Sequence, residues 1–177
     1  MAAVCYRIRG KAIEFLLVQT RGGRWIFPKG SAEPGLSHAQ AAALEAYEEA
    51  GVHGRIEEAS FARYVRRRRG EPAERGEVEF TVKTYLCEVL WLDPPQELDR
   101  RPTWFCAEKA MRRLRDDRAP HYGTELVRIV ESAVKRIQRV HPGTSTFIDS
   151  AQVVSSQKVQ FIDSGAPANA RRKMKRA

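Results

Sequence analysis

Apolar residues follow two rhythms along this chain. Short runs of strand length come first: residues 3–8, then residues 13–19 (IEFLLVQ), separated by a Gly10-Lys11 turn and so predicted to form a hairpin. A glycine-rich loop carrying Arg21 and Arg24 leads into a brief strand at 25–27. Strand character returns at 52–56, 59–65, 78–90 and 103–106; the third of these alternates over Val78, Phe80, Val82 and Thr84 until Asp93-Pro94-Pro95 stops it. Between 66 and 77 the pattern breaks into Arg66-Arg67-Arg68-Arg69-Gly70 and EPAERGE, which predicts a polar hairpin tip. Helical spacing governs the rest. Ser37 is a good N-cap with Gln40 three residues on, the pattern of a capping box, and an alanine run then reaches Gly51, a helix-ending residue. Residues 108–115 point Met111 and Leu114 inward, and residues 123–140 place Leu126, Val127, Val130, Val134 and Ile137 at helical spacing. Strands split by helical regions fit an α/β/α sandwich.

At 177 residues with 42% apolar content, the chain suffices for one packed domain with an appendage. The domain is read as residues 1–140, closed by His141-Pro142-Gly143. Residues 141–177 are rich in Ser, Gln and Ala and repeat Phe-Ile-Asp-Ser at 147–150 and 161–164, either an isolated short strand or docking motif in each copy or a chance duplication. They end on a basic run, Arg171 to Arg176, and are expected to form a disordered, low-complexity tail drawn nonspecifically to polyanions. Net charge is +9; the tail holds six basic and two acidic residues, +4, which leaves +5 on residues 1–140. The domain itself therefore calls for an anionic partner: nucleic acid, an acidic membrane surface or a polyphosphate. Cys5, Cys87 and Cys106 are odd in number and lack a CxxC pair, as expected of reduced thiols in an intracellular protein. No apolar run reaches about 18 residues and the N-terminus has no apolar signal core, so a cytoplasmic protein without a membrane span is expected. His38, His53, His121 and His141 fit no metal spacing, and neither a P-loop nor a nucleophile elbow occurs.

The candidate chemistry concentrates on the helix between Ser37 and Gly51. Glu48 and Glu49 stand three and four residues after Glu45, so both share its face, and such like-charge neighbours cost about 0.2–0.5 kcal/mol per pair. No Lys or Arg lies between Lys29 and Arg55 to relieve them, in a chain with 31 basic residues. A carboxylate cluster left unpaired in a basic protein calls for a cation, and hard oxygen ligands suit Mg²⁺.

The stretch FPKGSAEPGLSHAQAAALEAYEEAGV, residues 27–52, resembles the Nudix box: Gly, five residues, Glu, seven residues, Arg-Glu, an apolar residue, any residue, Glu-Glu, any residue, Gly, apolar. Gly30, Glu45, Glu48, Glu49, Gly51 and Val52 fall on it in register, and Trp25, Phe27-Pro28-Lys29 and Glu33 are also similar to the family. The resemblance implies a Nudix-type α/β/α sandwich with a mixed β-sheet and an enzyme that hydrolyses phosphoanhydride bonds. It implies Mg²⁺, or Mn²⁺ in its place, held by Glu45, Glu49 and the Gly30 carbonyl, with Glu48 as base for the attacking water. Which of Glu48 and Glu49 is base and which is ligand varies among relatives. Two positions depart: Leu36 stands for the first Glu and Leu44 for the Arg. In the family that Arg holds the catalytic carboxylates by an ion pair, and the first Glu supports the loop whose Gly carbonyl reaches metal. Either this chain compensates, with Lys29 or the metals holding the glutamates, or it is a Nudix-fold sensor of a phosphorylated ligand or RNA.

The surroundings of Cys5-Tyr6-Arg7, Leu16-Leu17-Val18, Thr20-Arg21 and Arg24-Trp25 resemble the diphosphoinositol polyphosphate phosphohydrolase branch, as do Arg100-Arg101 before Trp104-Phe105 and Glu108-Lys109-Ala110. The likeness covers residues 3–140. It implies that Thr20, Arg21, Arg66, Arg67, Arg68 and Arg101 grip the phosphates of a small-molecule polyphosphate substrate, with Arg118 as a further candidate. The substrate would be a nucleoside or an inositol carrying a diphosphate linkage. Glu77 and Glu79 could add a ligand or an alternative base, and Trp25 and Tyr6 either pack in the core or flank a pocket.

Overall fold

The computed structural model describes residues 1–69 and 77–146; the expected hairpin tip at 70–76 and residues 147–177, with both Phe-Ile-Asp-Ser copies and the basic end, lie outside the described residues. In chain order the elements are β1 (Ala2–Arg9), β2 (Ala12–Gln19), β3 (Trp25–Ile26), α1 (His38–Ala50), β4 (Val52–Ile56), β5 (Ala62–Arg69), β6 (Glu77–Leu92), a 3₁₀ turn (Leu98–Arg100), β7 (Thr103–Cys106), α2 (Ala107–Arg115) and α3 (Pro120–Val140). Among the described residues the strands form one sheet in the order β3-β2-β1-β6-β4, with β5 also on β6 and β7 also on β2. β1 and β6 run parallel, Ala2 opposite Thr84 through Tyr6 opposite Glu88, and the other pairings are antiparallel, so the sheet is mixed as expected.

Strand alternation sends side chains to opposite faces. On β1 and β2, Ala2, Val4, Tyr6, Ile13, Phe15 and Leu17 enter one apolar cluster with Leu114 of α2 and Leu126, Val130 and Ile137 of α3. Ala3, Cys5, Leu16 and Val18 enter a second cluster with Ala39, Ala42, Ala46 and Ala50 of α1. Each fully buried Leu, Ile or Phe contributes about 1.5–3 kcal/mol. Alanine on the buried face of α1 lets the helix lie close against the sheet, and its acidic residues meet Lys29 and Gly30 on one side and Arg100 on the other.

Three regions depart from expectation. Arg66 to Arg69, expected at a loop tip, belong to β5, where Arg67 stands opposite Glu79 and Arg69 opposite Glu77. The Arg67–Glu79 ion pair, at 2.8 Å, offsets part of the like-charge cost of a basic strand. Beyond Val140 the chain does not leave the domain at once: Ser145 N–H donates to the Lys11 carbonyl at 2.5 Å and Ile13 N–H donates to the Ser145 carbonyl at 2.8 Å. α3 also starts earlier than its apolar spacing suggests, since Pro120 suits the first helical position. No helix among the described residues is long and apolar enough to cross a membrane.

Candidate active site

Local chemistry lays down α1. Gln40 N–H donates to Ser37 Oγ at 3.2 Å and Ser37 N–H donates to Gln40 Oε1 at 2.8 Å, closing the capping box. Gly51 ends the helix at φ 67°, and a Cβ there would lie 1.8 Å from the Asp93 carbonyl oxygen, so glycine is required for conformation and for space. The segment after β6 then laces onto this helix end. Asp93 N–H donates to the Gly51 carbonyl at 2.8 Å, and Gln96 and Glu97 N–H both donate to the Glu48 carbonyl at 3.0 Å. These bonds satisfy carbonyls that a helix end leaves open and set the 3₁₀ turn beside the carboxylates.

The expectation of a carboxylate cluster without a basic partner is overturned at Glu49. Arg100, on the 3₁₀ turn, brings Nη2 to 2.7 Å from Glu49 Oε1 and Nε to 2.7 Å from Glu97 Oε2. The Glu49 side chain is 2% exposed, and the Lys29 backbone N–H donates to its Oε2 at 3.3 Å. Burial nevertheless pushes the Glu49 carboxyl up to about 7, against the downward pull of Arg100 and Lys29. Glu45 is also raised, by burial first and then by Glu48 and Glu97. Glu48 is half-buried and makes no side-chain ion pair among the described residues.

Gly30 lies directly against Glu45: a Cβ at residue 30 would stand 1.5 Å from Glu45 Oε1. Its carbonyl accepts a 2.9 Å hydrogen bond from the Met1 amine, whose pKa burial lowers and the Glu45 charge partly restores. Among the described residues no three His, Cys, Asp or Glu side chains stand close enough to hold a metal ion by themselves. A set that fits combines side chain with backbone: Glu45, the carbonyl of Gly30, the residue it lies against, and Glu49, held by the neighbouring Lys29 N–H. All are hard oxygens of the kind Mg²⁺ takes.

Beside this acidic corner opens a cleft of about 640 Å³. Arg24, Lys29, Arg66, Arg67 and Arg118 line it, with Glu79, Asp117 and Glu125 as the acidic members and Ile26, Val65 and Tyr122 among the apolar surface. Lys29 joins the two regions. Burial lowers its pKa, Arg66 and Arg100 press the same way, and Glu49 and Glu45 oppose them.

Of the residues proposed to grip substrate, Thr20, Arg66 and Arg67 line the cleft. Arg67 pairs with Glu79 at 2.8 Å, so Glu79 serves as its partner across the strands. Arg68 stands opposite Val78 on β5, and its side chain lies outside the described residues. Arg21 is 96% exposed, with only Asp99 at 3.8 Å, and Arg101 is exposed at φ 47°; neither lines the cleft. Arg118 lines it but is committed to structure, donating to the Leu114 carbonyl at 2.9 Å and to the Trp25 carbonyl. Trp25 packs edge-on against Phe105 at 4.9 Å and Tyr6 is buried, so both belong to the core. Sequence reasoning missed Arg100 in favour of its neighbour Arg101. The available signal was Glu97 three residues earlier, a spacing that pairs on a helical turn. It also passed over Tyr122 and Glu125, which only the packing of α3 against β5 brings to the cleft.

The mixed sheet between helices, with a carboxylate helix entered from a Pro-Lys-Gly turn, defines a class. The NUDIX domain family matches residues 1–124, and the chain belongs to the Nudix family, hydrolases of phosphoanhydride bonds that generally use divalent metal ions. Solved structures agree on the fold. The binary complex of the Ap4A hydrolase of C. elegans is 24% identical, covering 77% of this chain and 96% of that one, with a TM-score of 0.54. A NUDIX hydrolase from Nitrosomonas europaea is 20% identical over 76% of this chain and 88% of that one, TM-score 0.56. The NUDIX domain of Shewanella oneidensis NrtR, complexed with ADP ribose, is 16% identical over 77% of this chain and 85% of that one, TM-score 0.53.

Proposed function

We propose that this protein is a Mg²⁺-dependent pyrophosphohydrolase that cleaves a diphosphate linkage in a phosphate-rich small molecule, a nucleoside or inositol polyphosphate. One observation carries the reading: an acidic corner of Glu45, Glu48, Glu49 and the Gly30 carbonyl adjoins a cleft with five cationic side chains, and Lys29 is shared between them. Glu45, Glu49 and the Gly30 carbonyl would hold the metal, which would supply charge neutralisation for the reacting phosphates. The chain's own residues divide the remaining tasks. Arg66, Arg67 and Arg24 face phosphates from the cleft wall. Glu49, buried and doubly held, is suited to a fixed ligand. Glu48, half-buried and without an ion pair among the described residues, is suited to accept the proton of the attacking water. The neighbours named for Ap4A and for ADP ribose make nucleoside substrates a natural first panel.

A second reading, a Nudix-fold sensor that binds without cleaving, is favoured by Leu36 and Leu44 in the box and by the lack of a three-side-chain metal cluster among the described residues. A phosphate- and nucleotide-release screen with Mg²⁺ over dinucleoside polyphosphates, ADP ribose and diphosphoinositol polyphosphates separates the two. Turnover of any member, abolished by EDTA, is expected; tight binding of several with turnover of none would move the sensor ahead.

A further inference from the structure

We propose that Arg100 is the positioning residue of this site, fixing the Glu49 carboxylate from the 3₁₀ turn rather than from α1. The inference rests on the hydrolase reading and adds to it the residue that orders the acidic corner. Its geometry is specific. One guanidinium nitrogen meets Glu49 Oε1 and another meets Glu97 Oε2, each at 2.7 Å, so the fork spans two carboxylates. The turn carrying Arg100 is itself anchored to α1, through the two N–H groups on the Glu48 carbonyl and the Asp93 bond to Gly51. Arg100 therefore moves with the helix whose carboxylate it holds. With Oε1 engaged and Oε2 under the Lys29 N–H, both Glu49 oxygens have fixed directions.

A purely structural role explains this poorly. A buried ion pair is weak evidence for stability, because an apolar pair of similar volume often does as well or better. Keeping a carboxylate 2% exposed beside Glu45 and Glu48 makes sense where its charge is used on a ligand, and a used carboxylate needs a defined direction.

The test uses the full chain and four variants: Arg100→Ala, Arg100→Lys, Glu49→Gln and the double variant Arg100→Ala/Glu49→Gln. Mn²⁺ is the probe for the acidic corner, followed by electron paramagnetic resonance without substrate; kcat and KM are measured on whichever compound the screen identifies. Loss of a residue that orients a ligand typically costs about 10–100-fold in metal affinity or activity. Arg100→Ala is therefore expected to weaken Mn²⁺ binding and lower kcat within that range, with substrate KM changed far less, because the cleft cations remain. Arg100→Lys, which keeps the charge without the fork, should recover part of both, and it carries the test if the alanine variant does not fold. In the Glu49→Gln background, removing Arg100 should cost nothing further in kcat. Wild-type Mn²⁺ affinity and kcat in Arg100→Ala, or tighter Mn²⁺ binding, would overturn the proposal. If the wild type turns over no compound, the hydrolase reading fails while the Mn²⁺ measurements still decide on Arg100.

Discussion

Replacing Glu49 by Gln in metal-free buffer isolates the largest electrostatic cost in the site. Burial raises this carboxyl from its ordinary 4.5 to about 7. At 1.36 kcal/mol per pK unit, that corresponds to about 3 kcal/mol of stability. The sign follows from proton binding. Between pH 4.5 and about 7 the folded chain holds a proton on Glu49 that the unfolded chain has released. The associated stability is fully present below 4.5 and is lost as pH rises through about 7. The groups facing Glu49 are Arg100 from the turn, Lys29 from the loop before α1, and Glu45 on α1 itself; the first two oppose the rise and the third adds to it. Glu49→Gln should match wild type near pH 4.5 and become more stable by up to about 3 kcal/mol at pH 8.5, or about 6–12 °C in Tm. Urea unfolding in EDTA, followed by circular dichroism at each pH, measures the difference, and the histidines common to both proteins cancel. Mg²⁺ at pH 8.5 should narrow the gap, since a ligand of the native ionised site stabilises wild type selectively. A Glu49→Gln protein less stable than wild type at pH 8.5 in EDTA would show that the Arg100 pair outweighs desolvation, and the reasoning would fail.

Glu48→Gln should lower kcat about 10²–10⁴-fold with Tm near wild type, because the side chain makes no ion pair among the described residues; an unchanged rate would remove Glu48 from the mechanism. Neutralising Arg66, Arg67 and Arg68 together should raise KM for a phosphate-rich substrate more than for a nucleoside diphosphate sugar, at about 1.5–3 kcal/mol per well-formed charged hydrogen bond. Equal effects on both compounds would leave β5 as solvated surface. Gly30→Ala should fold, since the atoms nearest its Cβ are the flexible end of Glu45, yet lose metal affinity because that carboxylate is displaced; Mn²⁺ titration checks it. Leu44→Arg should remain folded, as Leu44 is half-buried and outside both apolar clusters, and should add little turnover while Arg100 holds Glu49. A large gain at limiting Mg²⁺ would mean that the native site is poorly ordered.

Signals that act within one or two turns were legible before any coordinates. The capping box of Ser37 and Gln40, the left-handed Gly51 and the spacing of Glu45, Glu48 and Glu49 all depend on neighbours three or four residues away. The apolar run of β2 likewise reads as a strand from length and composition alone, and the structure buries both of its faces, in two separate clusters. The box resemblance named Gly30 and Glu45 without saying how they lie; the structure sets Glu45 directly against Gly30. Where local pattern and pairing competed, pairing won: the arginine run looks like a loop tip in isolation, but β6 supplies Glu79 and Glu77 opposite it.

What only the tertiary structure decided is the company each charge keeps. Arg100 and Arg101 are identical in composition and adjacent in sequence, yet one grips Glu49 at 2.7 Å and the other is exposed at φ 47°. The difference lies in the direction of a 3₁₀ turn, set by hydrogen bonds from Gln96 and Glu97 to the end of α1. The cleft has the same origin, assembled from the β2–β3 loop, β5 and the α2–α3 junction. Sequence spacing identifies which charges share an element; whether a charge is solvated, paired or aimed at a ligand depends on distances of a few ångströms between elements, and those are set by packing.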